Sequence, residues 1–302
     1  MNESIKRYMR PGIIHFMAFP ETMSGEGKML DTIRTIAYDN YFEAIEISWI
    51  KDATERAAVK KLLNTCGISV AYGSSPRLLT TGLNINDTNE EGRKRAVATL
   101  KEGIDEAYEM GAEAFSYLSG KYTQEQFDEA YDALVASTIE ICEYAALKGD
   151  LKIALEVFDY DVDKKSIIGP AALAKKFARE ITDECYNFGL LVDLSHMPLL
   201  RESPTQSIFP VKDYIIHGHM GNAVVLPGYD GYGDLHPRFG FPMGSNNVRE
   251  LVDFLRILLE VGFLNEEDPP IVSFEVKPFG DEDPLAVIAN AKRTLDKAWA
   301  LV

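Results

Sequence analysis

Eight times along the chain a short apolar run is followed by a helical pattern, and this alternation restricts the possible folds more than any other feature. The strand candidates are 12–19, 44–50, 68–73, 112–118, a run ending at Glu156, a run ending near Asp193, 214–219 and 271–275. Helical patterns fill 29–40, 53–65, about 88–110, 123–148, 170–183, 246–262 and 283–301, while 204–213 predicts at most a short helix. Asp52 is placed to cap the second helix and Gly67 to stop it; Thr88 and Glu91 have capping-box spacing before the third. Apolar runs of this length read as strands buried on both faces. Strands that alternate with helices imply a parallel sheet. Eight such units in 302 residues, with no break in composition, predict an α/β fold: a single (β/α)8 TIM barrel in which 1–302 form one domain. No Gly-x-Gly-x-x-Gly follows the first strand, which speaks against an open dinucleotide-binding sheet.

Composition narrows the function. The 47 acidic and 31 basic side chains leave a formal charge of -16, which argues against nucleic acid or an anionic membrane as a partner. The N-terminal stretch has no signal-peptide core, and no run approaches about 18 apolar residues, so no membrane span is expected. Cys66, Cys142 and Cys185 lie far apart without a C-x-x-C pair, as expected for reduced thiols in a cytoplasmic protein.

Four successive strand candidates end in metal-ligating chemistry: Glu156, Asp193, His219 and Glu275. Active sites of closed α/β barrels sit at the C-terminal strand ends, and neighbouring strands lie about 4.8 Å apart. Three carboxylates held that close raise one another's pKa, a cost that a divalent cation removes. Three acids with one imidazole suit Mn²⁺ first, with Co²⁺, Mg²⁺ or Zn²⁺ as alternatives. Such a site points to proton transfer on a small carbonyl compound. His217 shares a strand face with His219, one layer deeper, and reads as structural or as a support for the site. Glu46 ends the second strand and is a candidate for the pocket, whereas His15 faces into or out of the barrel with equal weight. Phe16, Trp49 and Tyr117 are candidates for an apolar wall, or for core.

The set Glu156, Asp193-Leu-Ser-His196, His217-Gly-His219 and Glu275 resembles the xylose isomerase-like TIM barrels, and within them the sugar isomerase/epimerase branch that contains the ketose 3-epimerases. The resemblance follows element order throughout and is sharp over the second half. It implies metal ligands at Glu156, Asp193, His219 and Glu275, a substrate hydrogen bond from His196, and proton transfer by Glu156 and Glu275. The implied activity is isomerisation or epimerisation of a small carbohydrate through a metal-stabilised enediolate. The alternative is a lyase or dehydratase on a keto-sugar or keto-glycoside, as in the C-glycoside-cleaving subunits. Such barrels form homo-oligomers or take a partner subunit.

This chain departs from the epimerase pattern in two places. Residues 158–165 lack the expected substrate-binding Glu, and Val225 stands where an Arg is expected. Both departures concern substrate recognition. The Gly/Pro-rich segment 221–245 is too long for an ordinary connection and reads as a lid whose His236 and Arg238 touch substrate or order the loop. Its Asp234-x-His236 also resembles a metal pair of the apurinic endonucleases, a reading that the acidic balance opposes.

Overall fold

The computed structural model describes residue 1 and residues 3–302. Its strands are β1 (Arg10–Ile13), β2 (Ala44–Ile47), β3 (Ser69–Gly73), β4 (Ala114–Leu118), β5 (Lys152–Glu156), β6 (Phe188–Asp193), β7 (Ile215–Gly221) and β8 (Ile271–Glu275). All pairings are parallel, in the order β1-β8-β7-β6-β5-β4-β3-β2. The ring closes between β1 and β2 through one bridge, Ile14 to Glu46, and the bond from Glu43 N to Pro11 O at 2.9 Å. The result is the expected single (β/α)8 TIM barrel, with a seam on that side.

The strands form because both of their faces are covered. Every residue of Phe188–Asp193 and of Ile271–Glu275 is buried, which a two-sided parallel sheet requires. The outer helices are α1 (Met29–Ala37), α2 (Ala53–Cys66), α3 (Glu90–Met110), α4 (Phe127–Ala146), α5 (Ala171–Thr182), the short α6 (Pro204–Ile208), α7 (Val248–Glu260) and α8 (Pro284–Trp299). Asp52 caps α2 by accepting from Glu55 N, and Gly67 ends it at φ 65°, as the sequence predicts. At α3 the cap is one residue later than expected: the Asn89 side chain, not that of Thr88, accepts from Glu91 N and Gly92 N. Both residue types cap well, and the Asn side chain reaches two donors at once. Among the described residues no helix is long and apolar enough to cross a membrane.

The first strand is shorter than the apolar run 12–19 predicts. It stops at Ile13, and His15–Ala18 turns into a short helix. That turn carries Ile14, Phe16 and Met17 into a separate small apolar cluster with Met23, over the mouth of the barrel. It also takes His15 away from the site. The His15 ring is buried, and its Nε2 donates to Thr32 Oγ1 at 2.8 Å, while that hydroxyl donates to Lys28 O. Burial pushes the His15 pKa down to about 3.

A pH dependence follows from this. Below about pH 6.5 the unfolded ring takes a proton that the folded ring refuses until about pH 3. His15 therefore subtracts stability as pH falls through that window, by at most about 1.4 kcal/mol per pH unit. His15→Gln is expected to flatten the loss of stability between pH 4 and 6.5 in urea titrations at fixed metal content. An unchanged slope would contradict this assignment.

Candidate active site

The sheet register brings the four strand ends together. Asp193 is level with His219, Glu156 is level with Leu191, and Glu275 is level with Gly221. The ends are thus stepped around the barrel mouth. One ligand atom from each of Glu156, Asp193, His219 and Glu275 lies within 4.8 Å of every other. His219 Nδ1 sits between two acids, 2.9 Å from Glu275 Oε2 and 3.3 Å from Glu156 Oε1. Asp193 is fixed by Ser195 N, which donates to its Oδ1 at 2.6 Å, leaving Oδ2 turned towards His196 and His236.

Two further groups share these residues. Asp193, His196, His236 and Glu275 form one, and Glu46, His217 and His219 the other. His196 donates from Nδ1 to Val157 O at 2.9 Å, which turns Nε2 towards Asp234 Oδ1 at 3.1 Å. His236 Nε2 approaches the same oxygen to 2.8 Å and Glu275 Oε1 to 3.4 Å. Lys164 Nζ donates to the other Asp234 oxygen at 2.5 Å. Asp234 therefore ties the β5–α5 loop to the β7–α7 loop over two imidazoles.

Burial in a low-dielectric interior makes these charges interact strongly. Burial pushes the Asp193 pKa up, and Glu275 adds to this against the pull of His196. Burial opposes the charged form of His219, but Glu46 and Glu156 outweigh it and hold the imidazole well above its ordinary value. Burial likewise opposes charge on His196 and His236, yet Asp234, with Asp193 and Glu275, raises them to about 10 and about 9. Asp234 itself is held well below the usual carboxylate range: burial works against this, and His236 and Lys164 prevail.

Glu156 Oε1, Asp193 Oδ2, Asp234 Oδ1, His196 Nε2 and His236 Nδ1 are buried and lack a hydrogen bond of good geometry. Orphaned buried oxygens are costly unless something satisfies them. Three carboxylates and one imidazole are the donors that a hard or borderline divalent cation takes, so the set fits such an ion.

A cavity of about 190 Å³ opens beside this set. Glu46, Glu156, His219, Asp234, His236 and Glu275 form its polar side. Ile14, Phe16, Met17, Leu79, Phe158 and Leu235 form the apolar side, and Lys164 and Lys277 also line it. Glu46 is nevertheless occupied: its Oε1 holds His217 Nε2 at 2.6 Å and His219 Nε2 at 3.1 Å.

Not every expected residue reaches the cavity. The structure does not bring Arg238 there; its Nε donates to Glu282 at 2.7 Å, and it does not line the wall. The loop turns between the two residues, with His236 at φ 50° and pinned by Lys277 N, which donates to His236 O at 2.7 Å. Tyr117 is core, with its hydroxyl on Thr138 at 2.7 Å, and Trp49, which donates to Met23 O, does not line the cavity. Only Phe16 of the three aromatics lines the wall. Lys164 was not singled out by the sequence, and no spacing marks it: its partner Asp234 is 70 residues away.

A closed parallel barrel with acids and imidazoles gathered at the C-terminal strand ends defines a TIM barrel with a candidate metal site in its mouth. The family model for the xylose isomerase-like TIM barrel matches residues 35–297, and the chain belongs to that family. No curated protein sequence shows significant similarity to it. Among solved structures it is similar to a D-psicose 3-epimerase from Clostridium cellulolyticum H10, at 17% identity and TM-score 0.72, covering 97% of this chain and 99% of that one. It is similar to a D-tagatose 3-epimerase-like protein at 21% identity and TM-score 0.72, with the same coverages. A 3-keto-D-glucoside 4-epimerase from E. coli matches at 17% identity and TM-score 0.68, again over 97% and 99%.

Proposed function

We propose that this chain is a divalent-metal-dependent sugar epimerase or isomerase acting on a small, unphosphorylated keto-sugar. The observation that carries the reading is the convergence of Glu156, Asp193, His219 and Glu275 within 4.8 Å, with buried oxygens left without hydrogen bonds. The folds of sugar epimerases named above support the substrate class.

In this reading those four residues hold the cation, Mn²⁺ in preference to Co²⁺, Mg²⁺ or Zn²⁺. When bound, it supplies Lewis-acid polarisation of a carbonyl and its neighbouring hydroxyl. Glu156 and Glu275 both approach His219 Nδ1 and both line the cavity. One carboxylate removes the proton from the carbon next to the carbonyl, leaving an enediolate. The other, protonated at the outset, gives its proton to the opposite face, which inverts the centre and leaves the two groups with exchanged protonation states. Lys164 is kept protonated against burial by Asp234 and places positive charge on the cavity wall, where it favours the oxyanion. His236 contacts substrate hydroxyls, and His196 acts from behind it through Asp234. The apolar side around Phe16 and Phe158 excludes water from the reacting carbon.

The experiment is a screen of free ketohexoses and 3-keto-glycosides in D₂O, with metal-stripped protein reloaded with Mn²⁺. The expected result is deuterium at the carbon beside the carbonyl and appearance of the epimer, only with metal present. Exchange-inactive protein, or release of a fragment without exchange, would overturn the proposal.

A further inference from the structure

We infer that Glu46 is a positioning residue: it fixes His219 so that Nδ1, and not Nε2, faces the cation. The inference rests on the cation reading above. Glu46 is the last residue but one of β2, on the far side of the barrel seam from β7, and only 1% of it is exposed. Its Oε1 lies 2.6 Å from His217 Nε2 and 3.1 Å from His219 Nε2. An ionised carboxylate only accepts hydrogen bonds, so both nitrogens donate. The two rings stand 5.3 Å apart at 87° to each other, so their N–H groups reach one oxygen from different directions. His217 lies two residues before His219 on the same face of β7 and anchors the carboxylate one layer deeper.

With Nε2–H committed to Glu46, the lone pair of a neutral His219 ring lies on Nδ1. That atom faces Glu275 Oε2 at 2.9 Å and Glu156 Oε1 at 3.3 Å. Contacts this short to two carboxylate oxygens call for positive charge at Nδ1: a proton donated to Glu275 Oε2 in the metal-free ring, or the cation that takes its place. Glu46 thus prepares His219 as a ligand in one tautomer and one orientation, the general role of a carboxylate behind a metal-bound imidazole. This also explains why a carboxylate on the cavity wall is free to do little else: the oxygen in question already serves two rings.

The test uses full-length metal-free protein, titrated with Mn²⁺ by calorimetry, and ¹⁵N-histidine NMR of the Zn²⁺-loaded protein. In the wild type the His219 spectrum is expected to show Nδ1 bound to metal and Nε2 protonated. Glu46→Leu is expected to weaken Mn²⁺ binding about 10–100-fold and to lose the single tautomer. Glu46→Gln, which keeps an accepting oxygen, is expected to restore the tautomer and part of the affinity. Metal found on Nε2 in the wild type overturns the inference without any variant. So does Mn²⁺ binding within twofold of wild type in both variants. A wild type that binds neither Mn²⁺ nor Zn²⁺ overturns the cation reading itself, and this inference with it.

Discussion

With Glu275 or Glu156 replaced by Gln, interconversion of the two epimers of a keto-sugar substrate is expected to fall by about 10²–10⁴, the usual contribution of a positioned general base. An amide keeps the shape and one accepting oxygen but takes no proton. The two variants should differ in an informative way. If the carboxylates serve opposite faces, each variant loses exchange from one epimer and retains residual exchange from the other, while neither converts one into the other. Deuterium incorporation from each pure epimer, at saturating Mn²⁺ with metal content measured in parallel, reads this directly. Near wild-type interconversion in either variant would show that the proton travels by another route. The prediction depends on both residues lining the same cavity and meeting at His219 Nδ1.

The second large effect concerns stability. Asp193 is fully buried beside Glu275, and burial already pushes its carboxyl up. Without a cation its charge is desolvated and opposed by Glu275, and the pull of His196 and His236 offsets only part of that. Asp193→Asn keeps the bond from Ser195 N, because the amide oxygen replaces Oδ1. The metal-free variant is therefore expected to melt at or above the wild-type temperature, although a functional residue has been lost. The wild type should gain about 2.7 kcal/mol when Mn²⁺ is present at 100 times its Kd, and the variant should gain almost none at the same concentration. Calorimetric melting with and without Mn²⁺ separates the two terms. An equal metal-induced shift in both proteins would remove Asp193 from the ligand set.

The sequence revealed those parts of the fold that depend on nearest neighbours along the chain. Parallel strands buried on both faces leave continuous apolar runs, so β5 to β8 and the acids that end three of them were readable. The run 12–19 was misread because an apolar stretch of that length has no periodicity to separate strand from buried helix; the structure divides it at Ile14. Contacts between distant segments left no trace. The Glu46–His217 pair joins residues 171 apart, and Lys164 meets Asp234 across 70. Arg238 was expected to touch substrate or to order the loop; the chain bends at His236, and Arg238 holds Glu282 instead of reaching the cavity, a contact 44 residues away that no local pattern announces.

The barrel's weakest joint has a bearing on redesign. Because β1 ends early, the ring is tied there by the backbone of Glu46, whose side chain reaches inward to two imidazoles. Remodelling 14–23 to admit bulkier sugars would loosen that tie and slacken the very ring that His219 presents. Broader substrate scope gained on this flank should come with leakier ion retention.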